Sequence, residues 1–135
     1  MHRILLAYRA GDSARRAMYA AAQLARAVHA QVGVISVVPL YPDRGGESVA
    51  PWDSHDDHRE DLREAQAVFR ASGIEPDLIE RVGHPAELID YEATHGEYDT
   101  IVLGGRPKSW IERFLRGSVA RDIVGRSSAK VVVVP

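Results

Sequence analysis

Five short apolar runs divide the chain, and the segments between them switch from continuous to helical spacing of hydrophobic positions. The first run, ILLAY at residues 4–8, is unbroken and apolar, as a strand buried on both faces requires. Asp12 or Ser13 is placed to cap the helix that follows. In it Ala14, Met18, Ala21, Ala25 and Val28 recur at helical spacing, and Arg15, Arg16 and Arg26 fall on the other face. VGVISVV at residues 32–38 predicts the second strand. Breakers between Pro39 and Pro51 predict a long loop, a feature usually functional in a compact domain. A second helix is expected from about Asp53, with Leu62, Ala65 and Phe69 facing inward; Gly73 ends it and Pro76 blocks its resumption. Leu78 to Val82 is a half-polar strand, as expected near a sheet edge. Gly83-His84 turns into a third helix with Pro85 at its first position, a buried stripe of Ala86, Ile89 and Ala93, and a stop at Gly96. Thr100 to Leu103 predicts a fourth strand, residues 118–126 a last helix, and Lys130 to Val134 a fifth strand.

Strands alternating with helices predict an α/β fold, a parallel sheet with helices on both faces. In such sheets ligands bind beyond the carboxyl ends of the strands, where strand order reverses. If the first and fourth strands are neighbours, Tyr8 to Gly11 and Gly104 to Arg106 share one crevice.

The candidate chemistry concentrates in DTIVLGGRPKSWIERFLRGSV, residues 99–119. Gly104-Gly105 stops a buried strand, Arg106 and Lys108 follow, and Gly117-Ser118 leads into a helix. Such a loop can cradle a phosphate, because glycine admits close backbone approach and a helix start offers free N–H groups. It can equally be a turn followed by a Ser118 N-cap. Composition narrows the field. At 135 residues the chain, 1–135, is expected to be a single domain, and its net charge of −2 gives no footprint for nucleic acid. Cysteine is absent, which removes disulfides and thiolate chemistry. No apolar run matches a signal peptide or a bilayer span, so the expected location is the cytoplasm, away from the membrane.

Other constellations are weaker. The chain contains no P-loop string, and YRAGDSAR after the first strand is no dinucleotide fingerprint. His55 and His58, with Asp56 and Asp57 between them, could place two imidazoles on one helix face. Two ligands do not make a metal site, and a solvated helix start is the better reading, so no metal is expected. His84 lies in a turn without a nucleophile nearby in sequence, and no catalytic residue is assigned. Trp110 and Phe114 fit core or interface better than base stacking. Val131 to Val134 is apolar, β-branched and last among the strands. Such an edge invites pairing with another chain, so a homodimer through Lys130 to Val134 is expected.

ILLAY, GHPAELI at residues 83–89, and above all IVLGG followed by Gly117-Ser118-Val119 resemble the universal stress protein family over nearly the whole chain. The resemblance implies a five-stranded, doubly wound three-layer α/β/α domain of strand order 3-2-1-4-5, usually dimeric through the last strand. It further implies a role in stress survival or growth arrest and, in many members, ATP binding. The phosphates are then held by G-x-x-G, nine residues, G-S, and the adenosine partly by an Asp after the first strand. Gly104, Gly117 and Ser118 match that motif. Ala7, Tyr8, Arg9, Val37, Gly104, Gly105, Arg106, Lys108, Gly117, Ser118 and Val119 are the candidate crevice residues. Two positions depart. Pro107 stands for the second glycine and has no N–H for a phosphate. Arg9 stands for the Asp, replacing an acceptor with an obligate donor. Both weaken ATP as a cofactor. The expectation is a non-enzymatic regulatory protein with a degenerate crevice for a nucleotide, a small anion or a protein partner. The alternative is an ATP-binding member with slow hydrolysis at most.

Overall fold

The computed structural model describes residues 2–9, 11–104 and 129–135. Its elements run β1 (Arg3–Ala7), α1 (Asp12–Val28), β2 (Gln31–Asp43), β3 (Gly46–Val49), α2 (His55–Ala71), β4 (Asp77–Gly83), α3 (Pro85–His95), β5 (Thr100–Gly104) and β6 (Lys130–Val134). β1 pairs in parallel with β2 on one side and β5 on the other. β4 extends the sheet beyond β2 and β6 extends it beyond β5, both in parallel. The five parallel strands thus stand in the order β4-β2-β1-β5-β6, the expected 3-2-1-4-5.

Successive strand residues point to opposite faces, and each face has its own core. Ile4 and Leu6 of β1, with Val32, Val34 and Val102, meet Ala17, Met18, Ala21 and Ala25 of α1 and Leu62, Ala65 and Phe69 of α2. Leu5 and Ala7, with Ile35, Val37, Ile101 and Leu103, meet Ile89 and Ala93 of α3. The alanines of α1 let that helix lie close to the sheet. Gly104 continues the same contact: a Cβ there would come within 2.5 Å of the Ala14 Cα, so only glycine lets the end of β5 reach the first turn of α1.

Several expectations need correction. Residues 39–51 are not a long loop. β2 continues to Asp43 and forms an antiparallel hairpin with β3, pairing Leu40 with Val49 and Asp43 with Gly46. The Asp43 carboxylate accepts the Gly45 N–H at 2.8 Å inside the turn, and Gly46 takes the positive φ of 125° that follows it. Pro39 and Pro42 signal a break, yet β2 runs through both, Pro39 in register with Gly83 of β4 and Pro42 with Glu47 of β3. Neither Asp12 nor Ser13 caps α1; Gly11 occupies the N-cap and Asp12 is already helical. Val28 is 37% exposed rather than part of the inner stripe. α2 begins two residues later than expected, behind a capping box in which Ser54 and Asp57 bond each other reciprocally. The last helix, expected at residues 118–126, lies outside the described residues.

Candidate functional site

β1 and β5 leave the sheet side by side, because Ala7 is paired with Leu103. Tyr8 and Gly104 therefore emerge at the same carboxyl rim, as the expected crevice requires. Beside them, between the ends of β1 and β2 and the start of α3, lies a cavity of about 530 Å³. Ala7, Ile35, Val37, Pro39 and Ile89 form its apolar wall, and Arg9, Tyr41, Asp53, His58 and His84 its polar side. The volume falls in the usual range for small-molecule sites. Of the candidate residues, Ala7, Tyr8, Arg9 and Val37 line this cavity. Gly104 stands at the same rim but packs against α1. Gly105, Arg106, Lys108, Gly117, Ser118 and Val119 lie outside the described residues, as does Pro107.

Arg9 is held in place by two acids distant in sequence. Its Nη1 meets Asp61 Oδ2 at 2.7 Å and its Nε meets Asp53 Oδ1 at 3.2 Å. It is therefore not a free cation waiting for an anion. Asp53, in the turn between β3 and α2, also accepts from His58 Nε2 at 2.5 Å and from the Tyr41 hydroxyl at 3.2 Å. A carboxylate only accepts, so His58 carries its proton on Nε2 and faces the Ser36 hydroxyl, 2.6 Å away, with Nδ1. Tyr41 keeps its phenol proton: burial, then the bond to Asp53, pushes the hydroxyl above its ordinary value. Next to this network, Tyr8 donates to Glu64, whose other partner is Arg15. The hydrogen bonds from Arg15 and Tyr8 hold the Glu64 carboxyl below its ordinary value.

Ser36, His58 and Asp53 have the residue types of a hydrolase triad but not its accessibility. The Ser36 side chain is completely buried on β2, so no carbonyl substrate can reach its Oγ. The two histidines considered for metal binding part company. His58 points inward and is 1% exposed, whereas His55 turns to Glu80 of β4 at 3.2 Å. Hydrogen bonds from His55 and Arg59 keep the Glu80 carboxyl low. His84 occupies the N-cap position of α3 and lines the cavity, and its Nε2 is 3.6 Å from Glu47 on β3.

Asp53, His58, Asp61, Ser36 and Tyr41 were not identified from the sequence as parts of the crevice or its supporting network. One signal was available. Once Ser54 and Asp57 are recognised as a capping box, His58 falls one turn into α2, with Asp61 and Leu62 three and four positions on. That places it on the inner stripe rather than in solvent.

Comparison with known proteins agrees with this architecture. The family model described as Universal stress protein family matches residues 1–135. A universal stress protein of Synechocystis sp. is 31% identical over 122 residues, covering 90% of this chain and 78% of its own length. The structure of a universal stress protein from Archaeoglobus fulgidus has a TM-score of 0.69 at 25% identity, covering 100% of this chain and 99% of its own. A universal stress protein from the same organism, in complex with dAMP, has a TM-score of 0.67 at 27% identity, covering 100% and 98%. With two cores about one parallel sheet, a crevice at its carboxyl rim and a family match along its whole length, this chain belongs to the universal stress protein family.

Proposed function

We propose that this chain is a cytoplasmic, non-enzymatic regulatory member of its family, dimeric through β6, that holds a small ligand of the nucleoside or nucleoside monophosphate class in the crevice. The observation that carries this reading is the cavity of about 530 Å³ at the ends of β1 and β2, apolar on one side and hydrogen-bonding on the other. A relative 27% identical to this chain is known in complex with dAMP, which supports the ligand class. The sealed Ser36 hydroxyl supports a binding role over hydrolysis. Among the described residues, no helix is long and apolar enough to cross a membrane. Val132 and Val133 on β6, 41% and 36% exposed, leave apolar surface that a second copy would cover.

Calorimetric titration with AMP and ATP tests the reading. The expected result is saturable AMP binding, with ATP gaining no more than a few-fold and no ADP released. Absence of binding by both AMP and adenosine overturns it. The spacing of Gly104, Gly117 and Ser118 favours the ATP-binding alternative. That alternative requires ATP to bind far more tightly than AMP, with the gain abolished by Gly117→Val in a folded protein.

A further inference from the structure

We propose that Asp53 is the ligand-selecting group of the crevice, accepting a hydrogen bond from a hydroxyl or amino group of a nucleoside, and that Arg9 competes for the same carboxylate from within the protein. This rests on reading the crevice as a nucleoside-class site.

The geometry of Asp53 carries the inference. Its side chain is 13% exposed and lines the cavity opposite the apolar wall. Tyr41 on the extended half of β2 and His58 on α2 orient it, while the Arg9 guanidinium, beyond β1 and 3.2 Å from Oδ1, offsets its charge. Oδ1 takes both close donors, at 2.5 and 3.2 Å, while among the described residues Oδ2 takes only the Tyr41 hydroxyl at 3.2 Å. Each carboxylate oxygen has two lone pairs, so Oδ2 retains capacity for one more donor. Fixed by its neighbours, that oxygen accepts from a ligand with little reorganisation.

The charges select the same chemistry. Arg9 spans Asp53 and Asp61, so an anion approaching its guanidinium meets two carboxylates around it. An uncharged ligand bearing a donor meets no such opposition, and its planar ring packs on Ala7, Val37 and Ile89. Removing Arg9 with its second acid therefore frees Asp53 for the ligand and takes away the Arg9–Asp61 charge pair as a unit.

The test is calorimetric titration of adenosine into the wild-type protein, Asp53→Asn and the double variant Arg9→Met/Asp61→Asn, with circular dichroism to establish folding. Asp53→Asn is expected to weaken adenosine binding at least tenfold, and the double variant to tighten it at least threefold. Wild-type binding with both variants unchanged, or a folded double variant that binds more weakly, overturns the role of Asp53 alone. If Asp53→Asn fails to fold, the double variant decides. A wild-type protein that binds neither adenosine nor AMP overturns the nucleoside reading beneath it.

Discussion

Asp61 and Asp90 are both carboxylates buried on the inner side of a helix, yet they have opposite surroundings. Asp61, on the α2 face of the sheet, meets the Arg9 guanidinium at 2.7 Å, and the polar groups near it are bonded in turn through Asp53, His58 and Ser36. Asp90, on α3 across the sheet, is completely buried, and neither of its carboxylate oxygens has a hydrogen-bond partner among the described residues. Burial alone pushes its carboxyl from an ordinary 3.8 up to about 6. A buried charge is sustained where other segments of the chain supply partners; without them the group resists ionisation. The crevice is thus a constructed polar site, and Asp90 is a pH-sensitive weak point in the opposite core.

The largest expected effect is at Asp90. Its folded value lies above its unfolded one, so the fold has full stability below about pH 4 with respect to this group and loses it as pH rises through about 6. The loss is on the order of 2–3 kcal/mol. Asp90→Asn is expected to flatten urea-unfolding stability between pH 4.5 and 7.5 and to leave the variant the more stable protein at the upper end. A variant that keeps the wild-type slope would place the pH sensitivity elsewhere. Arg9→Met comes next. It removes the guanidinium that pairs with Asp61 and Asp53 and is expected to cost about 1–3 kcal/mol, below the figure for a fully buried pair because Arg9 is half-exposed and screened by water. Adding Asp61→Asn should recover part of that loss. A double variant as unstable as Arg9→Met would show that the two groups are not coupled.

Ser36→Ala removes only the hydroxyl facing His58 Nδ1. It is expected to lower stability by about 1–2 kcal/mol in equilibrium unfolding, the usual cost of leaving a buried polar atom without a partner. No change would mean that His58 needs Asp53 alone. The smallest effect belongs to Arg70→Gln. The paired Glu75 bonds Arg70 at 2.7 and 2.8 Å, but both side chains are exposed, so the unfolding midpoint should not move measurably. A clear shift there would undermine the contrast between buried and exposed pairing.

Much of this was legible from local pattern. The alternation of apolar runs with helical stripes determined the parallel sheet and its two helical faces, and Pro85 marked the start of α3, because hydrophobic spacing encodes which face a segment buries. The hairpin at residues 39–51 was not legible: proline and glycine mark a reversal, and only pairing with β3 shows that the chain on both sides is extended. Arg9 was identifiable as a departure at the crevice, but its partners were not. Asp61 lies 52 positions away, and Ser36 stands 22 positions before His58. Sequence spacing specifies the neighbours of a side chain within its own strand or helix. Which charged groups meet across elements follows from strand order, crossover and helix rotation, and these exist only once the two cores have closed around the sheet.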